Sequence, residues 1–133
     1  RIQETPDTFF QSYTYPYSHD NSIMAVAKSL VDAATVDGHI WEYYNTRNPV
    51  YTSRTKVIDR SIKFGSPPLV VSDRLSSELK QEIRSVLLLM HTDEKGRRIL
   101  DSLMVDRFVD SEESWYEPVQ VLHRELTAFR EAR

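Results

Sequence analysis

Cysteine is absent from the 133 residues, which excludes disulfides, zinc–thiolate sites and cysteine nucleophiles in one stroke. That absence leaves the compartment open, because cysteine-free chains occur on both sides of membranes. Glycine is scarce, at three residues, and neither a repeat nor a low-complexity segment is visible. Long apolar runs are also missing. The longest, Val86 to Met90, falls far short of the roughly 20 residues a membrane-crossing helix needs. No basic end followed by an apolar stretch marks a secretory signal in Arg1 to Phe10. An excess of positive charge is lacking too: 17 basic against 20 acidic side chains leave a net charge of -3. Bulk electrostatic binding of nucleic acid is therefore not expected, since phosphate neutralisation needs a concentrated basic face. Lys95, Arg97 and Arg98 form the densest basic cluster, but Asp93, Glu94 and Asp101 surround them.

What is present is the mixture of a globular domain, 40% hydrophobic and 28% charged, with room for one compact domain rather than two. Tyr13, Tyr15 and Tyr17 alternate with smaller residues, which predicts a strand over 12–17. Ile23, Val26, Ala27, Leu30 and Val31 recur at helical spacing and predict a helix over 20–30. A short buried strand over 31–36 and a helix over 37–44 follow, then a loop over 45–53 rich in Asn, Thr, Pro and Ser. Residues 56–64 carry a strand pattern, Ser66-Pro67-Pro68 breaks it, and 69–71 resume it.

Beyond that point the pattern is helical. Leu79, Ile83, Val86, Leu87 and Met90 step by three and four behind Ser76, a fitting N-cap. Asp93 caps the next predicted helix, with Ile99, Leu100 and Leu103 on its apolar face. The last helix begins near Tyr116, with Pro118 in its tolerant first turn. Its stripe of Trp115, Val119, Leu122, Leu126 and Phe129 is too short for a convincing coiled coil and suits packing onto the domain. Strands alternating with helices predict an α/β architecture, a parallel-rich sheet with flanking helices.

Two predicted strand-to-helix junctions could carry chemistry. The first, Tyr17-Ser18-His19-Asp20-Asn21-Ser22, offers the free amides of a helix start, the Ser18 hydroxyl and the His19 ring to an anion. Equally, Ser18 or Asp20 simply caps the helix while His19 faces solvent. The second, Thr35-Val36-Asp37-Gly38-His39, would share the carboxyl edge of a parallel sheet with the first and bring Asp37 and His39 near it. There Asp37 is either a site residue or only the cap of its helix. Ser66, at the third break, could reach the same edge. No Gly-x-Ser-x-Gly elbow presents a serine to a base, and no His-x-x-x-His pair supports a metal site. Neither a catalytic residue nor a metal or other cofactor is expected.

Several short segments, taken in order, resemble the phosphate, phosphite and phosphonate solute-binding proteins of ABC transporters. They are Ser18-His19-Asp20-Asn21-Ser22-Ile23, Ala25-Val26-Ala27 and Val31 to Asp37, then Arg60-Ser61 and Pro67-Pro68-Leu69-Val70-Val71. Leu79-Lys80, Ile83-Arg84, Met90-His91, Gly96, Ile99-Leu100 and Phe108-Val109 before Tyr116 complete the series. The resemblance implies part of a two-lobed periplasmic-binding-protein-like fold that holds its ligand between lobes. On that footing residues 1–48 are the closing part of the inserted ligand-binding lobe, and 49–133 are the hinge crossing and the return to the first lobe. It covers only the last half or so of such a protein, which implies a fragment of a longer chain, or an assembly that supplies the other half.

The family's cleft histidine falls on His19, with Ser18 beside it, as donors to a phosphorus oxyanion. Positions that hold the ammonium of aminoalkylphosphonates fall on His39 and Pro67. Neither is acidic, although Asp37 stands close by, so phosphate, phosphite or a simpler phosphonate is the implied ligand. The expected site is thus Ser18, His19, Asp37, His39 and Ser66. The resemblance further implies a membrane permease as partner, a periplasmic or lipid-anchored extracytoplasmic location, and no enzymatic activity. Missing a lobe, the chain is expected to self-associate through exposed apolar surface. The alternatives are a ligand-sensing domain of a signalling receptor with the same fold, or an unrelated small interaction module.

Overall fold

A computed structural model describes residues 4–131, which form two compact units that divide between Asp59 and Arg60. In the first unit Pro6–Phe9 (α1) is a single turn. Thr5 precedes it, and the hydroxyl of Thr8 reaches back to accept from the Thr5 amide at 3.1 Å. His19–Ala27 (α2) and Gly38–Arg47 (α3) pack together and against a 3₁₀ turn at Thr52–Arg54. Among the described residues of this unit Ser22, Ile23 and Thr52 are buried, with Ile23 at 4% exposure its apolar centre. Trp41 adds a clamp, donating its Nε1–H to Thr55 Oγ1 at 3.2 Å while Thr55 donates to the Thr52 carbonyl at 2.8 Å.

The second unit holds Ser77–Leu89 (α4), Glu94–Ser102 (α5) and Glu117–Glu131 (α6). A 3₁₀ turn at Met90–Thr92 links the first two, and another at Glu113–Tyr116 leads into the third. Ser76 caps α4 by accepting from the Leu79 amide at 3.2 Å, and Asp93 caps α5 by accepting from Gly96 at 2.8 Å. Leu100, 1% exposed, is the centre of this unit, and the 3₁₀ turn packs against the face of α5 that carries buried Gly96. An otherwise irregular stretch is pinned where Gly65 donates to the Trp115 carbonyl and Tyr116 Oη donates to the Ser66 carbonyl, both at 3.1 Å.

Two helices end without glycine in the position where glycine is favoured. After α2, Ser29 takes φ 56°, its amide meets the Val26 carbonyl, and the Leu30 amide meets Ala25. After α5, Met104 takes φ 55°, with the same pair of bonds to Asp101 and from Val105 to Leu100. Both are Schellman terminations, which satisfy carbonyls that the last helical turn leaves over.

The expected sheet does not form: among the described residues there is no strand. Residues 12–17, 31–36, 56–64 and 69–71 are irregular rather than laddered. A strand exists only through hydrogen bonds to a neighbouring strand, and alternation of side chains cannot provide that neighbour. Several of their apolar side chains stay in solvent, with Ile58 at 81% and Val70 at 78% exposure. The helical expectations fared better, with shifts at the ends. The first predicted helix stops at Ala27 rather than residue 30, and the second extends to Arg47, into the predicted loop.

Candidate functional site

Tyr17 turns the chain into α2 with φ 64°, its side chain almost wholly in solvent, and Asn21 Nδ2 ties the turn down by donating to the Pro16 carbonyl at 3.2 Å. Ser18 is the N-cap: its Oγ accepts from the Asn21 amide at 3.4 Å, and its carbonyl accepts from Ser22 Oγ at 3.0 Å. The Ser18 hydroxyl also holds the Asp20 carboxyl below its ordinary value, helped by the amides of Asn21 and of Asp20 itself. The cap reading of Ser18 therefore holds, and the chain's own Asp20 carboxylate already draws on the donors of this helix start.

His19, the first residue of α2, faces the start of α3. Its Nδ1 accepts from the main-chain amide of Asp37 at 3.1 Å, joining residues 18 apart in sequence. Asp37 caps α3 at the same time, its Oδ1 accepting from the Ile40 amide at 3.0 Å. Of the residues expected at the site, the structure thus joins Ser18, His19 and Asp37 around two helix starts. His39 lies exposed in the first turn of α3. Ser66 belongs to the second unit, where its carbonyl accepts from Tyr116.

Beside α2 a cavity of about 110 Å³ is lined by Asp20, Asn21, Tyr44, Asn48, Tyr51 and Thr52 among others. Thr52 is 2% exposed and its hydroxyl has no partner among the described residues, a place suited to an ordered water. Sequence reading missed this feature by assigning Asn48, Tyr51 and Thr52 to a plain loop. The available signal was faint: an Asn/Thr-containing stretch, 45–50, flanked by two tyrosines. Among the described residues no three His, Asp or Glu side chains gather in a way that could hold a metal ion, and no helix is long and apolar enough to cross a membrane.

Against known proteins, residues 3–116 match the family described as ABC transporter, phosphonate, periplasmic substrate-binding protein. A relative from Prochlorococcus marinus (strain MIT 9301), named probable ABC transporter phosphite binding protein PhnD1, is 25% identical over 118 residues. That alignment takes in 85% of this chain and 40% of the relative, so the chain spans well under half the relative's length. With the family match running through both units and over the Ser18–His19–Asp37 cluster, the chain belongs to the periplasmic phosphonate-binding family of ABC transporters.

Proposed function

We propose that this chain is part of a solute-binding component that captures a small phosphorus oxyanion and delivers it to a membrane permease. The observation that carries the reading is the hydrogen bond between His19 and Asp37, which ties the starts of α2 and α3 together. Helix starts supply amide donors and a positive dipole end, the usual reception for an oxyanion. The ring of His19 adds a further donor beside Ser18.

The two carboxylates nearby favour a particular kind of anion. Asp20 and Asp37 would repel a fully ionised guest, but a carboxylate accepts a hydrogen bond from a P–OH group. Phosphate, phosphite and simple phosphonates can carry that proton near neutral pH, whereas sulfate cannot. No acidic side chain stands at 39 or 67 to hold an ammonium group, which argues against aminoalkylphosphonates. In this reading residues 1–48 close one ligand-binding lobe and 49–133 return to the other, with His39 as a further contact. The strand-like segments that lack a ladder would find their neighbours in the remainder of a longer protein. The binding is non-catalytic and extracytoplasmic.

Isothermal calorimetry with phosphate, phosphite, methylphosphonate and sulfate tests the reading. Heat with at least one phosphorus oxyanion, none with sulfate, and loss of that heat in His19→Ala are the expected results. Silence with all three phosphorus ligands, or binding unchanged in His19→Ala, defeats it.

A further inference from the structure

We infer that the main-chain amide of Asp37 is a positioning group that fixes His19 in its Nε2–H tautomer, so that the ring meets its ligand as a neutral donor with no acceptor to spare. The inference deepens the oxyanion reading and rests on it for the identity of the ligand, but the tautomer stands on geometry alone. A peptide N–H can only donate. The ring nitrogen receiving it at 3.1 Å must therefore offer a lone pair, and a neutral imidazole has one such nitrogen. With Nδ1 engaged, the proton resides on Nε2. An imidazolium has no acceptor and cannot make the contact.

The amide is well placed for this task because it belongs to a fixed helix start. Asp37 has φ -64° and ψ 130°, its Oδ1 is held by the Ile40 amide, and α3 packs against α2. The orientation of the ring is thus set by backbone rather than by a mobile side chain. The bond made by one ring nitrogen sets the state of the other, and here Nδ1 accepts from an amide rather than donating to a carbonyl. Asp20 in the first turn of α2 and Asp37 at the cap of α3 carry the acidic groups of these two helix starts. For the ligand, an Nε2–H donor pairs with an unprotonated oxygen. A P–OH proton must find its acceptor elsewhere, and the two carboxylates provide one.

The test is the long-range ¹⁵N–¹H spectrum of the histidine rings in the ligand-free 133-residue chain, above the pH at which imidazole titrates. The His19 signals are identified by their disappearance in His19→Ala. The expected pattern is a single tautomer with the proton on Nε2. A ring protonated on Nδ1, or averaging between tautomers, overturns the inference whether or not any anion binds. Three variants separate the amide from the cap. Asp37→Pro keeps φ near its native value but removes the N–H, Asp37→Ala removes only the capping oxygen, and Asp37→Asn retains both. The tautomer is expected to persist in the Ala and Asn variants and to become mixed in the Pro variant. Phosphite affinity should fall in the Pro variant below that of the Ala variant, by up to about tenfold. Equal affinity and an unchanged ring in Asp37→Pro would also overturn the inference. A fixed Nε2–H ring in a chain that binds no phosphite upholds the positioning and defeats the ligand reading instead.

Discussion

Arg84 on α4 holds Asp110 with two parallel donors, Nε to Oδ1 at 2.9 Å and Nη2 to Oδ2. This fork is the geometry in which a guanidinium and a carboxylate match best, and it ties the segment after α5 back to α4. Both side chains are more than half exposed, at 51% and 64%, so water and salt screen the pair. A double-mutant cycle with Arg84→Ala and Asp110→Ala should give a coupling of about 0.2–1 kcal/mol at low salt, shrinking as salt is added. A coupling of zero at low salt would show that the fork contributes nothing.

Gly96 allows α5 to lie against the turn before it. A Cβ at this position would collide with the Met90 carbonyl oxygen and stand 2.9 Å from its carbon, and a backbone neighbour cannot swing aside. Alanine would otherwise gain about 1 kcal/mol of helix propensity over glycine. Overpacking of this kind costs about 1–3 kcal/mol, so Gly96→Ala should lower the urea midpoint despite that gain. A raised midpoint would show that the turn yields freely.

The two Schellman turns place Ser29 and Met104 in a left-handed conformation that an L side chain enters at a cost of about 1–2 kcal/mol. Glycine removes that strain but adds freedom to the unfolded chain, about 0.5–1 kcal/mol in the other direction. Ser29 is exposed and loses little else, so Ser29→Gly should stabilise the chain by up to about 1 kcal/mol. Met104 retains some packing, at 36% exposure, and Met104→Gly should gain less. Thermal unfolding of the two variants checks the order. Destabilisation by Ser29→Gly would refute the strain argument.

The helices were legible because their signals are local. Ser76 and Asp93 cap where the sequence places them, and the steps from Leu79 to Leu87 lie within α4, with Met90 at its C-cap. The sheet was not legible, because alternation in Tyr13, Tyr15 and Tyr17 describes one strand's sides and says nothing of a partner. Among the described residues no ladder partner is present. Ser29 and Met104 went unnoticed as helix ends because the usual terminator, glycine, is absent from both. At the site, adjacency of His19 and Asp37 was expected from a shared sheet edge. The two residues do meet, but through packed helices and a main-chain amide whose donor role no side-chain pattern discloses.

Acid should weaken the helix starts. The Ser18 hydroxyl, with amides of the first turn, lowers the Asp20 carboxyl from its usual 3.8, and the Glu78 amide with the Ser76 hydroxyl lowers Glu78 from 4.5. Because the folded values lie below the unfolded ones, the unfolded chain binds more protons between them. The stabilisation is complete above the unfolded values and disappears as pH falls through the folded ones. Both groups are exposed, so the effect is small. Asp20→Asn and Glu78→Gln should each flatten the acid limb of a stability–pH curve measured in urea. A limb of unchanged steepness in both variants would mean that the caps are not linked to protonation.

Apolar surface left open on the second unit should drive association. Only Leu100 among its described apolar side chains is fully buried, while Val86 and Leu89 on α4 are 64% and 60% exposed and Leu122 and Leu126 on α6 nearly half exposed. Val86 and Leu89 also line a shallow groove that runs past Met90 to Gly96. Each side chain that is covered removes apolar area from water at about 25 cal/mol per Å², which rewards any contact between copies. Light scattering should therefore show a mass that grows with concentration. Leu89→Glu should lower that growth by placing a charge where a partner would sit, and circular dichroism should show its helices intact, because an exposed position on α4 accepts glutamate at little cost. A concentration-independent monomer in the unsubstituted chain would refute the prediction. Association unchanged in Leu89→Glu would place the contact on α6, where Leu122→Glu is the corresponding variant.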